Sequence, residues 1–349
     1  MAITIRLVAA CAVAVLFAFI ARAAPADTPI NPGFPYGSEK VRGVNLGGWL
    51  VLEPWITPSL FDNTGNADIV DEWTFGQLQD SGQATSVLQN HWNTWITESD
   101  FAAIAAAGLN HVRIPIGFWA FDVSGGEPYI QGQLPYLQNA VGWASNHNIK
   151  VIVDLHGAPG SQNGFPFGTS QESNTVVLLH DAFQPLSYWN GFQTPPNWQG
   201  VAMDTHIYQM FSQDEVSRSN AEHISAACST DLAFDLWLVV GEWTPAATDC
   251  AKYLNGRGIG ARYDGSMAGS TFVGSCNGLT GSASSFSQDY KTFLRQYWEA
   301  QTSTYEQASG WIQWTWKAEN ADEWTYQAGL QNGWIPQDPT QRQFPNICG

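Results

Sequence analysis

The sequence predicts an α/β fold, a (β/α)8 TIM barrel of parallel strands with one strand missing, and three observations predict it. A short apolar, β-branched run ending in polar or aromatic residues recurs seven times, at 41–50, 111–117, 149–157, 175–183, 201–211, 236–244 and 310–319. Helical patterns stand between some of these runs, and strands that alternate with helices form parallel sheets. The chain has 349 residues, 44% hydrophobic and 13% aromatic, enough for one large core. Seven such strands in one chain favour a barrel over an open sheet, yet eight are needed to close it.

Taken in order, the chain begins with residues outside the fold. Arg6 precedes an apolar run over 7–20, and the small residues of Ala21-Arg22-Ala23-Ala24 suit cleavage after Ala23. That run is too short for a comfortable membrane span. Residues 1–23 are therefore predicted as a signal peptide and 24–349 as a single barrel domain. After the first strand run, Thr97 and Asp100 make a capping box, Phe101 and Ile104 follow at helical spacing, and Gly108 is a stop. After the third run, 158–174 is rich in Gly, Ser, Gln and Pro with no helical stripe, although a crossover between neighbouring parallel strands calls for a helix. The connection over 184–200 is equally short, and the Gly/Ser-rich 256–287 reads as a long loop. From 288 to 309, Tyr290, Phe293, Leu294, Tyr297 and Trp298 form one helical stripe that Gly310 ends.

Removal of the signal takes Cys11 and leaves Cys228, Cys250, Cys276 and Cys348, an even set that predicts two disulfides with three pairings open. Their spacing matches no zinc signature, and no HExxH, P-loop or G-x-S-x-G occurs, so no metal and no cofactor are expected. Gly256-Arg257-Gly258-Ile259-Gly260 follows no strand and opens no helix, which excludes a nucleotide loop. With 14 basic against 31 acidic side chains, the net charge of −17 carries no footprint for nucleic acid or an anionic membrane.

In a parallel barrel, function collects at the carboxyl ends of the strands. Those ends are Arg113, His156, Asp181, His206 with Tyr208, Glu242, and Trp314 with Trp316. Alternation puts Leu236, Leu238, Val240 and Glu242 on one face, so a carboxylate tops an apolar column. Asp204, His206 and Tyr208 share a face, as do Trp314 and Trp316. Aromatic faces mixed with carboxylates and amides suit sugar rings and their hydroxyls.

The segments VRGVNLGGWLVLEPW (41–55), GLNHVRIPIGFWAF (108–121), VIVDLHGAPGSQNG (151–164), HDAFQPLSYW (180–189), DTHIYQMF (204–211), VVGEWTPA (239–246) and WTWKAENADEW (314–324) carry a resemblance over nearly the whole mature chain. The sequence resembles the fungal exo-β-1,3-glucanases of glycoside hydrolase family 5. The resemblance implies a secreted, monomeric, metal-free enzyme of the extracellular space or cell wall. Such an enzyme releases glucose from the non-reducing ends of β-1,3-glucan with retention. It implies Glu242 as nucleophile, His206 and Tyr208 as its orienting groups and Arg113 as its electrostatic support. Glu53, His156 and Asp181 are implied as sugar-binding, Trp316 rather than Trp314 as the stacking floor, and Phe183 with Phe211 as an aromatic clamp. It further implies the pairs Cys228–Cys348 and Cys250–Cys276.

One departure bears on activity. Retention needs a second carboxyl group about 5–5.5 Å from the nucleophile, which this family carries in an Asn-Glu-Pro motif closing the fourth strand. No Asn-Glu dipeptide occurs in the chain. GAPGSQNGF runs straight into 166–171 and the family's fifth strand, so the third helix, fourth strand and fourth helix are expected to be missing. Glu172 stands in a Gln-Glu-Ser context that resembles the loop before the fifth strand, not the acid. The alternatives to an enzyme are a non-catalytic β-glucan-binding protein and an inactive splice product.

Overall fold

The computed structural model describes residues 33–158, 175–195 and 200–349. The predicted signal peptide and most of the interval after the third strand, Glu172 included, lie outside the described residues. All seven runs form strands: β1 (Val41–Asn45), β2 (His111–Gly117), β3 (Lys150–Gly157), β4 (Val177–His180), β5 (Val201–His206), β6 (Trp237–Glu242) and β7 (Gly310–Gln313). Every pairing is parallel, in the order β3-β2-β1-β7-β6-β5-β4. β3 and β4 are the two ends of this order, yet both line one cavity of about 690 Å³. The sheet therefore curls round on itself and, among the described residues, has one strand fewer than the eight that close a barrel.

Several strands end earlier than their apolar runs. β1 stops at Asn45, while Leu46, Trp49 and Leu50 continue as buried core residues of the following loop. A loop packed onto the barrel top keeps a strand-like composition without a ladder, which is why composition alone overruns the boundary. The interior strands are covered on both faces, and β2 is buried at every position. β3 differs. Its outward residues Val153 and Leu155 are 52% and 41% exposed.

The two helices read from the sequence form as expected. Glu98–Ala106 starts at a capping box in which the Thr97 backbone N–H donates to Asp100 Oδ2 at 2.9 Å, and Gly108 takes a left-handed φ of 73° just past its end. Gln288–Tyr305 buries Tyr290, Phe293, Leu294, Tyr297 and Trp298. Ser81–Thr94 and Leu134–Asn146 carry weaker signals. The second fully buries only Ala140 and Ala144, and small residues make a faint stripe. The disulfides join Cys228 to Cys348 and Cys250 to Cys276, the pairs the resemblance implies.

Candidate active site

Glu242 closes β6 at the carboxyl end of the sheet. A bulge between Thr205 and His206 brings His206 opposite it. The preceding Gly241 is required by space, because a Cβ there would collide with the Asp204 carboxylate. Asn45 of β1 donates from Nδ2 to the Gly241 carbonyl at 2.9 Å and fixes this turn of chain from across the sheet. The Glu242 side chain is 10% exposed. Its Oε1 accepts from Arg113 Nη1 at 2.8 Å and its Oε2 from Tyr208 Oη at 3.0 Å, with His206 Nδ1 3.4 Å from Oε2.

Arg113 rises from β2 into the centre of the site. Besides Glu242 it faces Asp154 at 3.2 Å and Asp204 at 3.5 Å, and Nη1 donates to Asn45 Oδ1 at 3.0 Å. Burial works against its charge, but Asp154, Glu242 and Asp204 outweigh it and hold the guanidinium's pKa above its usual value. Burial likewise works against ionised Asp154, but Arg113 and His156 hold that carboxyl well below the usual carboxylate range. For Asp204 burial wins and pushes the pKa up to about 6. Burial also drives His206 down to about 3, so this imidazole is neutral. Tyr208 is raised well above the usual phenol value by burial and then by Glu242, so it stays a donor.

His156 tops β3. Its Nδ1 lies 2.8 Å from Asp154 Oδ2, and its ring stacks on Trp314 with centroids 5.5 Å apart and planes at 21°. Burial disfavours the imidazolium, but Asp154 outweighs it and the pKa stands at about 9. Glu53 sits in the loop after β1, where Oε1 accepts from the Gly48 N–H at 3.0 Å and Oε2 from Trp55 Nε1 at 3.1 Å. Burial lifts its pKa to about 7.

Two expected sugar contacts are corrected. Trp316 is 1% exposed, donates from Nε1 to Asp100 Oδ1 at 2.9 Å and stacks on Tyr326 inside the core. The alternation that paired it with Trp314 fails because β7 ends at Gln313; the indole beside His156 is Trp314. Asp181 is 4% exposed and turned inward, accepting from the Phe183 N–H at 2.8 Å and Thr205 Oγ1 at 2.6 Å. It shapes the left-handed Ala182–Phe183 turn (φ 54° and 56°) that leaves Phe183 59% exposed. Phe211 is 44% exposed and lies edge-on to Tyr208 at 5.3 Å.

Asp154 and Asn45 join the site without having been singled out as site residues, and Trp314, named at its strand end but passed over as the floor, is the indole beside His156. Asp154 was within reach of the sequence, because Ile152, Asp154 and His156 share the inward face of β3 by simple alternation. Asn45 gave no comparable signal, since its partners come from β2 and β6.

Known proteins match this chain in sequence and in shape. The model of the cellulase family, glycosyl hydrolase family 5, matches residues 78–177. The "Probable glucan 1,3-beta-glucosidase A" of Aspergillus niger is 44% identical over 388 aligned positions, covering 91% of this chain and 92% of the relative. The "Glucan 1,3-beta-glucosidase" of Blumeria graminis is 42% identical, covering 90% and 91%. Both alignments are longer than the 349-residue chain itself, so these relatives carry residues that have no counterpart in it. Among solved structures, the rutinosidase from Aspergillus niger superposes with a TM-score of 0.62 at 18% identity, over 86% of this chain and 99% of that one. At that identity the likeness speaks for the fold alone.

Proposed function

Because the chain belongs to glycosyl hydrolase family 5, beside fungal glucan 1,3-beta-glucosidases, we propose that it is a secreted exo-acting β-1,3-glucanase. In this reading Glu242 attacks the anomeric carbon of the terminal glucose at the non-reducing end. The observation that carries it is the hold on Glu242: one oxygen on Arg113, the other on Tyr208, with a neutral His206 alongside. Such a carboxylate is aimed before substrate arrives, so little reorganisation is needed in the transition state.

Attack forms a glycosyl ester on Glu242 and breaks the glycosidic C–O bond; water then cleaves the ester with net retention. Arg113 offsets the carboxylate's charge in the free enzyme. Tyr208, unable to ionise near neutrality, donates to whichever state of Oε2 is present. For the sugar itself, Glu53 and His156, the latter packed on the buried Trp314, offer polar partners for hydroxyls. Glu53, with a pKa near 7, both donates and accepts around neutral pH. Phe183 and Phe211, both largely exposed, fit the flanks of the next sugar.

A second reading, β-glucan binding without turnover, is favoured by one observation, the absent Asn-Glu dipeptide. Laminarin turnover beside a Glu242→Gln control separates the two. The enzyme reading expects turnover that falls about 10⁴-fold or more in the variant. If neither protein releases glucose while both are retarded in a laminarin-containing gel, binding alone stands.

A further inference from the structure

Retaining hydrolysis makes two demands on a single group: it protonates the leaving oxygen and later takes a proton from water. The carboxyl groups nearest Glu242 are otherwise engaged. Asp154 is ion-paired with Arg113, Asp204 is 3% exposed beneath His206, and both Glu53 oxygens accept hydrogen bonds. Among the described residues β3 and β4 are the two ends of the strand order, and His156 and His180 stand at or near their carboxyl ends.

These two histidines are set up oppositely. His180 Nδ1 accepts from the Ala182 N–H at 3.2 Å, so its lone pair is already engaged by the backbone of the turn after β4. His156 donates from Nδ1 to Asp154 Oδ2 at 2.8 Å. Among the described residues its Nε2 has no hydrogen-bond partner, and the side chain is a quarter exposed at the cavity that Glu242 also lines. Arg113 holds Asp154 on Nη2 and Glu242 on Nη1, so one guanidinium sets the spacing of the pair and the nucleophile. Stacking on Trp314 fixes the plane of the ring.

We propose that the Asp154–His156 pair is the general acid/base of this chain, a role that rests on Glu242 being the nucleophile. As Glu242 bonds to the anomeric carbon, the C–O bond to the leaving sugar breaks and its electron pair takes the proton from His156 Nε2. In the second step the neutral Nε2 takes a proton from water. The water oxygen bonds to the anomeric carbon, and the ester's electron pair returns to Glu242. The groups facing the imidazole are Asp154, Arg113 of β2, Glu53 of the loop after β1, His180 of β4, Asp204 and His206 of β5, and Glu242 of β6. Of these Asp154 and then Glu242 keep the proton on the ring against burial, with a pKa of about 9. Ester formation cancels the Glu242 charge, so the ring holds its proton less tightly at the stage where it must act as a base.

The test compares His156→Gln, Asp154→Asn and Glu172→Gln with the wild type on laminarin and on 2,4-dinitrophenyl β-glucoside, whose leaving group needs no proton. His156→Gln is expected to lower kcat on laminarin about 10²–10⁴-fold. It should leave the dinitrophenolate burst nearly unchanged, and added azide should restore turnover by forming glucosyl azide. The wild-type kcat/KM on laminarin should fall as pH rises through about 9. That limb should move toward neutral pH in Asp154→Asn and vanish in His156→Gln. A rise in KM alone on both substrates makes His156 a hydroxyl ligand and overturns the proposal. So does a Glu172→Gln variant that loses laminarin turnover but keeps the burst. A wild type inert on laminarin whose Glu242 is still labelled by a 2,4-dinitrophenyl 2-deoxy-2-fluoroglucoside sinks the pair and leaves the nucleophile standing. No labelling at all removes both.

Discussion

On the side of β6, Glu242 is gripped by β2 and by the loop after β5, and Asn45 of β1 ties the chain before it. On the side of β3 and β4, the same sheet ends in two edges, with Val153 and Leu155 open to solvent. The first region is assembled from the unbroken run β2-β1-β7-β6-β5, so its geometry does not depend on what lies between β3 and β4. The second stands beyond the two ends of that run, where β3 and β4 have no further ladder partner among the described residues. An open seam in the sheet is therefore not a uniform weakening. It leaves the hold on Glu242 intact and exposes the edge at which His156 stands.

The largest test of this contrast is Arg113→Met. Arg113 bridges both regions, facing Glu242 on one side and Asp154 on the other, with Asp204 below. Removing one member of a buried charged cluster leaves the others uncompensated and costs about 3–5 kcal/mol. Urea unfolding is expected to report a loss of that size, and laminarin turnover should disappear with it. A loss below about 1 kcal/mol, within the range of exposed pairs, would mean that the two regions are held independently of Arg113.

Much of this organisation was legible in the sequence, and the reasons for the remainder are physical. The seven strands, the capping box at Thr97 and the stripe from Tyr290 to Trp298 come from period and composition, which are local. Glu242 and His156 stand out because each ends an apolar run. Trp314 and Trp316, paired on one face by alternation, part because the ladder stops at Gln313 and the chain folds the Trp316 indole down onto Tyr326. Asp181 was misjudged because its position at a strand end says nothing about which way a following left-handed turn rotates it. Asn45 was missed because its two partners lie on other strands.

Tyr208→Phe asks how far the nucleophile region is tuned from within. The substitution removes one donor from Glu242 Oε2 and leaves the ring against Phe211 and Trp324. A hydrogen bond to a charged group contributes about 1.5–3 kcal/mol, so kcat should fall about 10- to 100-fold. Retardation in a laminarin gel should not change, since the hydroxyl is aimed at Glu242. Equal losses in binding and kcat would instead make Tyr208 a sugar ligand and blur the distinction between preorganised attack and substrate grip.

The smallest effect is expected at the open seam itself. Val153 and Leu155 line an outer groove with Ile116, Phe118 and Phe121, apolar surface that a barrel keeps under a helix. An apolar surface beside a bare strand edge invites association, and a charge placed there opposes it. Val153→Lys sits on the opposite face of β3 from Ile152 and Asp154, at a position already 52% exposed. Stability should change by no more than about 0.5 kcal/mol, as for other exposed positions, and laminarin binding should be preserved. Light scattering across a concentration series should then show less association than the wild type. Unchanged association would locate the sticky surface elsewhere, and an effect on laminarin binding would show that the seam and the sugar site are not separate after all.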